Sequence, residues 1–112
     1  MPPRRAAAAV NGDLADVLAF QIKAAKLPKP IREHRFHATR RWRFDLAWPE
    51  RRLFAEVDGG EWTRGRHARG SGMAKDCEKW NAATVAGWRG LRFVGSQVKS
   101  GAALKTLHAV LR

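Results

Sequence analysis

Apolar and polar residues alternate along two short stretches near the middle of the chain, as they do in β-strands with one buried face. Over residues 41–48, Trp42, Phe44 and Leu46 share one face, and Arg41, Arg43 and Asp45 share the other. Over residues 52–58, Leu53, Ala55 and Val57 share one face, and Glu56 and Asp58 share the other. A tight turn at residues 48–51 predicts that the two strands are antiparallel neighbours.

The rest of the chain supplies the other predicted elements. Asp13 is the predicted N-cap of a first helix, which carries apolar residues at helical spacing and ends before Pro28. A first strand is predicted at residues 31–37. A glycine- and arginine-rich loop spans residues 59–72. After it we expect a helix at 75–88 with Trp80, Ala83, Thr84 and Trp88 on one side, a strand at 91–94 and a helix at 101–111.

This order of elements, α-β-β-β-α-β-α, predicts an α/β fold in which helices flank a single mixed β-sheet. The fourth strand follows a helical crossover, so it can lie parallel to an earlier strand. The 112 residues are enough for one hydrophobic core. We therefore expect a flexible N-terminal tail at residues 1–12 and a single domain at residues 13–112.

The charge of the chain is strongly basic. It has 22 Lys and Arg residues against 10 Asp and Glu, a formal net charge of +12 and a pI near 11.4. Such a charge indicates a polyanionic partner, most often nucleic acid, with an anionic membrane surface as the weaker alternative. No stretch predicts a transmembrane helix. Cys77 is the single cysteine, which favours a reducing, cytoplasmic location.

Three of the few carboxylates stand close together in the sequence, at Asp45, Glu56 and Asp58. If the apolar faces of their two strands point the same way, all three converge on the opposite face. Clustered carboxylates repel one another unless a hard divalent cation neutralises them, so the pattern predicts a Mg²⁺ or Mn²⁺ site. The alternative is a solvent-facing row of acids paired with Arg41 and Arg43.

The order of elements and the position of the acids together resemble the PD-(D/E)XK, or restriction-endonuclease-like, nuclease superfamily over roughly residues 13–111. Phe44-Asp45 stands where Pro-Asp is usual, and Glu56-Val57-Asp58 stands where Glu-x-Lys is usual. The segments at 56–62, 66–70 and 76–81 are similar to a small phage and bacterial subgroup related to very short patch repair endonucleases. The resemblance implies a metal-dependent DNA endonuclease, directed to branched, nicked or mismatched DNA, in a bacterial or phage-infected cell.

The resemblance also implies roles for individual residues. Asp45 and Glu56 would bind the metal ion directly, and Asp58 would bind it through water or support a second ion. Because Asp58 replaces the usual lysine, the missing cation is expected from the following helix, with Lys79 preferred over Lys75. Gln21 on the first helix is a further candidate that would reach the metal site. His67 is a candidate general base or acid, with contact to a phosphate as the alternative.

A basic surface around these acids would bind the phosphate backbone, and an aromatic residue would stack on a base. Its members are predicted to be Arg41, Arg43, Trp62, Arg64, Arg66, Arg69 and Lys75, with Arg40, Arg51 and Arg52 nearby. A homodimer would place two sites on opposite strands. Three alternatives stay open: a catalytically inactive nucleic-acid-binding protein of the same fold, an RNA-directed nuclease, and an unrelated basic ribosome-associated protein.

Overall fold

A four-stranded mixed β-sheet with helices around it forms the core of the computed structural model, which describes residues 10–58 and 71–112. The strands lie in the order β1-β2-β3-β4, with β1–β2 and β2–β3 antiparallel and β3–β4 parallel. In chain order the elements are α1 (Val10–Ala24), β1 (Ile31–Arg35), β2 (Arg43–Trp48), a 3₁₀ turn (Pro49–Arg51), β3 (Leu53–Asp58), α2 (Ser71–Val85), β4 (Arg89–Val94), α3 (Gly95–Ser100) and α4 (Ala102–Leu111).

The predicted α/β class, with one mixed sheet flanked by helices, is confirmed, and so is the parallel placement of the fourth strand. The order differs by one helix, because α3 precedes the predicted closing helix. Gly101, at φ +92°, separates α3 from α4 in a left-handed conformation that glycine adopts without strain. The prediction of a restriction-endonuclease-like core remains a prediction.

Most predicted element boundaries are shifted by one to four residues, and two of these shifts change the place of a residue that the prediction singled out. Helix α1 already includes Val10, so Asp13 lies inside the helix and does not cap it. Helix α2 ends at Val85, so Trp88 is not on that helix, although its side chain is buried, and Thr84 is exposed. Residues 1–9, which make up most of the predicted tail, lie outside the described residues.

Each face of the sheet has its own cluster of buried side chains. One cluster packs α1, α3 and α4 against the sheet and includes Leu18, Ile22, Leu46, Trp48 and Leu107. The other is aromatic and includes Phe44, Phe54 and Trp88, with Phe36 and Trp80 packed against it. The described part of the chain contains no helix with both the length and the apolar character needed to cross a membrane.

The predicted alternation of β2 is interrupted at Asp45. Leu46 belongs to the cluster beneath α1, whereas Phe44 belongs to the aromatic cluster on the opposite face. The pairs Arg32↔Leu46 and His34↔Phe44 keep one register with β1, but the pair between them is missing. Glu33, which stands opposite Asp45 in that register, has φ +53°, a left-handed conformation in which the strand cannot continue its regular pleat. The prediction that Phe44 and Leu46 share a face is therefore wrong.

The connection between β2 and β3 is a tight turn, as predicted. Pro49–Arg51 forms one 3₁₀ turn, and Arg52, at φ +51°, donates its N–H to the carbonyl of Pro49 over 3.0 Å. Arg52 also accepts a hydrogen bond at its carbonyl from the N–H of Arg89 over 2.8 Å. The turn therefore fixes the hairpin and helps to place β4 beside it.

Gly90 on β4 tests the packing of the aromatic cluster. A Cβ at this position would overlap the Phe54 ring and lie 2.7 Å from Cζ2 of Trp80, so Gly90→Ala must displace two aromatic side chains. We expect it to destabilise the fold by about 1–3 kcal/mol, the usual cost of overpacking a core. Gly95→Ala is the control, because its nearest contact is the methyl group of Leu14 at 3.2 Å. Equal urea midpoints for the two variants would contradict this packing.

Candidate active site

Asp45 and Glu56 lie where the β2–β3 ladder ends, and together they form the carboxylate pair of the site. The register of this antiparallel pair stops at Leu46↔Ala55, one residue before Asp45 would face Glu56. Beyond that point each carboxylate accepts a hydrogen bond from the backbone of the opposite strand. The N–H of Asp45 donates to Oε2 of Glu56 over 3.1 Å, and the N–H of Val57 donates to Oδ2 of Asp45 over 2.8 Å. The two carboxylates are therefore held side by side by the backbones of both strands.

Lys79 on α2 completes this group. Its Nζ donates to Oε1 of Glu56 over 2.9 Å and to the carbonyl of Arg43 over 2.7 Å. The exposed fractions of the two side chains are 16% for Lys79 and 14% for Glu56, so solvent screens this ion pair weakly. Lys79 also lies 5.8 Å from the centroid of the Phe44 ring. Lys79, the cation that the resemblance led us to prefer on this helix, thus contacts Glu56 from α2.

Burial raises the pKa of both members of the carboxylate pair. For Asp45, loss of hydration is the largest cause, and the Val57 N–H and the charge of Lys79 offset it in part. For Glu56, loss of hydration is again the largest cause; Lys79 opposes it, and the neighbouring Asp45 adds to it. The charges of Lys79 and Arg32 thus lower the pKa of Asp45 only in part, and at Glu56 Lys79 likewise leaves the pKa raised.

Asp58 is the third predicted metal ligand, and it lies two residues beyond Glu56 on β3. The alternation of the strand puts it on the same face as Glu56. Among residues 10–58 and 71–112, however, no group of three His, Cys, Asp or Glu side chains is placed to hold a metal ion. The structure therefore brings together Asp45, Glu56 and Lys79, and the role of Asp58 stays a prediction.

The donor set of the carboxylate pair fits a hard divalent cation. Mg²⁺ is commonly held by one or two carboxylates, with water and phosphate oxygens filling the remaining positions. Asp45 and Glu56 supply two such carboxylates at the end of a ladder, and loss of hydration raises the pKa of both. An ion bound there would relieve the repulsion that Asp45 exerts on Glu56.

Gln21 contacts a different part of the molecule. Its Nε2 donates to the carbonyl of Val98 on α3 over 3.2 Å, and its Oε1 is buried without a hydrogen-bond partner among the described residues. This contact ties α1 to α3. The hydrogen bond of Gln21 is thus with α3 and not with the carboxylate pair, and its role beside a metal ion stays a prediction.

Arg92 is a site residue that the sequence reasoning did not select. The parallel register of β3 and β4 sets it opposite Glu56. Its guanidinium donates to Oδ2 of Asp76 over 2.8 Å, and its Cζ lies 4.7 Å from the centroid of the Trp80 ring. Arg92 and Glu56 become neighbours because β3 and β4, which are distant in sequence, pair in parallel. No local sequence motif around Arg92 predicts this contact.

The predicted nucleic-acid contacts are described only in part. Arg41, Arg43 and Lys75 are exposed, as a phosphate-binding surface requires, and Lys75 lies one turn before Lys79. The predictions at Trp62, Arg64, Arg66, His67 and Arg69 fall outside the described residues.

Comparisons with known proteins leave the family of this chain open. No family model matches the sequence, and no solved structure matches it. Two proteins of Mycobacterium tuberculosis match, MT2308 of strain CDC 1551 / Oshkosh and Rv2248 of strain H37Rv, each named as an uncharacterized protein. Each is 38% identical over 52 residues, which is 46% of this chain and 18% of the relative. The chain thus matches less than a fifth of the length of these relatives.

The raised pKa of Asp45 leads to a testable stability effect of Asp45→Asn. Asparagine keeps a side-chain oxygen for the Val57 N–H and removes the buried charge. A carboxyl group whose pKa is raised by folding binds protons more tightly in the folded state, so wild-type stability falls as the pH rises through that pKa. At pH 7 in EDTA we expect Asp45→Asn to be more stable than wild type, by about 1 kcal/mol.

Urea unfolding at pH 7 and at about pH 4 measures this effect. The advantage of Asp45→Asn should shrink toward the lower pH, because the wild-type carboxyl group becomes neutral there. Asp76→Asn is the control, since it changes a more exposed acid whose ion pair with Arg92 contributes less than about 1 kcal/mol. Lower stability of Asp45→Asn than of wild type at pH 7 would show that the ionised carboxylate stabilises the fold.

Proposed function

We propose that this chain is a Mg²⁺- or Mn²⁺-dependent DNA endonuclease, related to the PD-(D/E)XK nucleases, that hydrolyses phosphodiester bonds. The contact of Lys79 with Glu56 carries the proposal. It supports a two-carboxylate site whose missing lysine is replaced by one on the following helix. The net charge of +12 favours a polyanionic substrate. Within this proposal the substrate is branched, nicked or mismatched DNA, as the resemblance to very short patch repair endonucleases implies.

Each residue of the site has a distinct task in this proposal. Asp45 and Glu56 hold the divalent ion, and the backbone hydrogen bonds from Val57 and Asp45 fix the orientation of their carboxylates. A bound Mg²⁺ or Mn²⁺ supplies Lewis acidity toward the scissile phosphate and lowers the pKa of a coordinated water. The ammonium group of Lys79 offsets negative charge that develops on the phosphate during the attack.

The same contacts explain why Lys79 is ready for this task before substrate binds. The Arg43 carbonyl and Glu56 fix its Nζ from two sides, and packing keeps the side chain largely out of solvent. An ammonium group held in place needs no reorganisation when charge develops beside it, which is the basis of electrostatic catalysis. Exposed Arg41, Arg43 and Lys75 would bind the DNA backbone without reading its sequence.

A cleavage assay with labelled DNAs tests the proposal. The panel covers duplex, single-stranded, nicked, flap and four-way-junction DNA, each with Mg²⁺, Mn²⁺, Ca²⁺ or EDTA and with matched RNA as competitor. We expect Mg²⁺- or Mn²⁺-dependent cleavage that Glu56→Gln abolishes, with DNA affinity unchanged or raised because a negative charge is lost. Metal-dependent cleavage that persists in Glu56→Gln would rule out this site.

Lys79→Ala tests the replacement of the missing lysine. We expect turnover to fall about 10²- to 10³-fold, as when one charge-stabilising donor is removed, with little change in DNA affinity. Lys105→Ala is the control, since it removes an exposed lysine from α4 and should keep wild-type turnover. Single-turnover cleavage rates separate the two variants, and equal rates would assign the role to another cation.

One observation favours a catalytically inactive DNA-binding protein as the second candidate. The carboxylate pair engages Lys79, and no three-ligand metal group occurs within residues 10–58 and 71–112. This candidate predicts DNA binding that is the same in Mg²⁺ and in EDTA, with no cleavage of any substrate in the panel.

A further inference from the structure

A column of stacked side chains runs from the core to the surface beside the carboxylate pair. The rings of Phe54 and Phe44 stack with centroids 3.8 Å apart, and those of Phe44 and Phe36 with centroids 4.1 Å apart, both with nearly parallel planes. Trp42 continues the column, with its centroid 6.0 Å from that of Phe36 and its plane inclined by 14°. The Cζ of Arg40 lies 4.0 Å from the centroid of the Trp42 ring and ends the column in solvent.

Core packing accounts for the inner half of this column and leaves the outer half unexplained. Phe44 and Phe54 are fully buried, whereas Trp42 is only partly buried and Arg40 is exposed. The ion pair of Arg40 with Glu78, at 3.2 Å, joins side chains that are 45% and 57% exposed. Pairs this exposed contribute little, so Arg40 can exchange Glu78 for another anion at low cost.

The outer end of the column is joined to the carboxylate pair through α2. Glu78, the partner of Arg40, directly precedes Lys79, which contacts Glu56. Lys79 also donates to the carbonyl of Arg43, the residue that follows Trp42. One turn of α2 therefore positions both the stacked surface and the site.

The turn that carries Arg40 is fixed by His37. Its Nδ1 accepts the N–H of Thr39 over 3.2 Å and the N–H of Arg40 over 3.0 Å. The His37 and Trp42 rings also form a T-shaped contact, with centroids 5.2 Å apart and planes at 79°. The arrangement is therefore formed before any ligand binds, which lowers the entropic cost of binding.

We propose that Trp42 and Arg40 form a stacking subsite for an unpaired base of single-stranded DNA. The base takes the place of the guanidinium on the outer face of Trp42, and Arg40 moves from Glu78 to a neighbouring phosphate. Exposed Arg41 adds a second backbone contact. Stacking on an aromatic side chain accepts any base. A base inside a duplex cannot enter, since its neighbours cover both of its faces.

The claim that the cleaved substrate is DNA with unpaired nucleotides beside the cleaved bond rests on the proposed function. The claim that Trp42 and Arg40 bind single-stranded DNA does not rest on it, since stacking requires neither the metal ion nor cleavage. The two can therefore be tested separately.

The first test is a binding titration in EDTA, followed by fluorescence anisotropy, with a labelled twelve-nucleotide oligothymidine and a duplex of the same length. Trp42→Leu keeps an apolar body against Phe36 and removes the stacking surface. We expect it to weaken single-strand binding about 10- to 100-fold, the contribution of one stacked base, and duplex binding less than about two-fold. Trp42→Phe keeps a ring and should restore most of the single-strand affinity.

Phe20→Leu is the matched control, because it removes a ring that is 70% exposed on α1, away from the column. It should leave both affinities unchanged. Photocross-linking of the wild-type protein to a bromodeoxyuridine-substituted single strand, mapped by mass spectrometry, gives a second readout that needs no variant to fold. A cross-link at Trp42 or Arg40 is expected, and cross-links confined to other residues would overturn the subsite.

The outcomes separate this inference from the proposed nuclease activity. Equal effects of Trp42→Leu on single-strand and duplex binding overturn the subsite, whatever the cleavage assay shows. A selective loss of single-strand binding, together with no cleavage in any metal, supports the subsite and rejects the nuclease. Selective loss together with metal-dependent cleavage near unpaired nucleotides supports both.

Discussion

The end of the β2–β3 ladder at Asp45 is the constraint on which the rest of the site depends. In a regular ladder, backbone carbonyls of the opposite strand accept the N–H groups that point across the pair. Here the ladder stops, and each carboxylate instead accepts a hydrogen bond from a backbone N–H group of the opposite strand. Two partly buried acids are thereby held side by side, although loss of hydration raises the pKa of each.

The same interruption separates the two cores. Because β2 changes face at Asp45, Phe44 joins the aromatic cluster beneath α2 while Leu46 stays with the aliphatic cluster beneath α1. Phe44 then stacks between Phe36 and Phe54, which starts the column that ends at Trp42. The interruption of β2 at Asp45 therefore accounts both for the position of the carboxylate pair and for the aromatic stack on one face of the sheet. Regular alternation would have placed Phe44 on the opposite face.

The sequence was sufficient to predict the elements that local patterns define. Alternation and turn residues predicted the β2–β3 hairpin, and helical periodicity predicted most of α1, α2 and α4. The sequence was not sufficient where contacts between distant residues determine the backbone conformation. At Glu33, a left-handed residue on β1 stands opposite Asp45, where the alternation of β2 is interrupted. Lys79 could be selected because a cation was missing at position 58, whereas Arg92 became a neighbour of Glu56 only through parallel pairing.

In the proposed nuclease, Lys79 and the metal ion would act together on the charge of the site. Lys79 acts on both carboxylates and Arg32 acts on Asp45, yet loss of hydration still raises the pKa of both acids, so their ionised forms are poorly stabilised. A divalent cation would stabilise the ionised pair and favour the approach of a phosphate, while the Arg43 carbonyl keeps Lys79 in place. In this proposal the overall charge of +12 would attract DNA, and the ion would neutralise the carboxylates that a phosphate has to approach. The proposed metal would then have an electrostatic role as well as a chemical one.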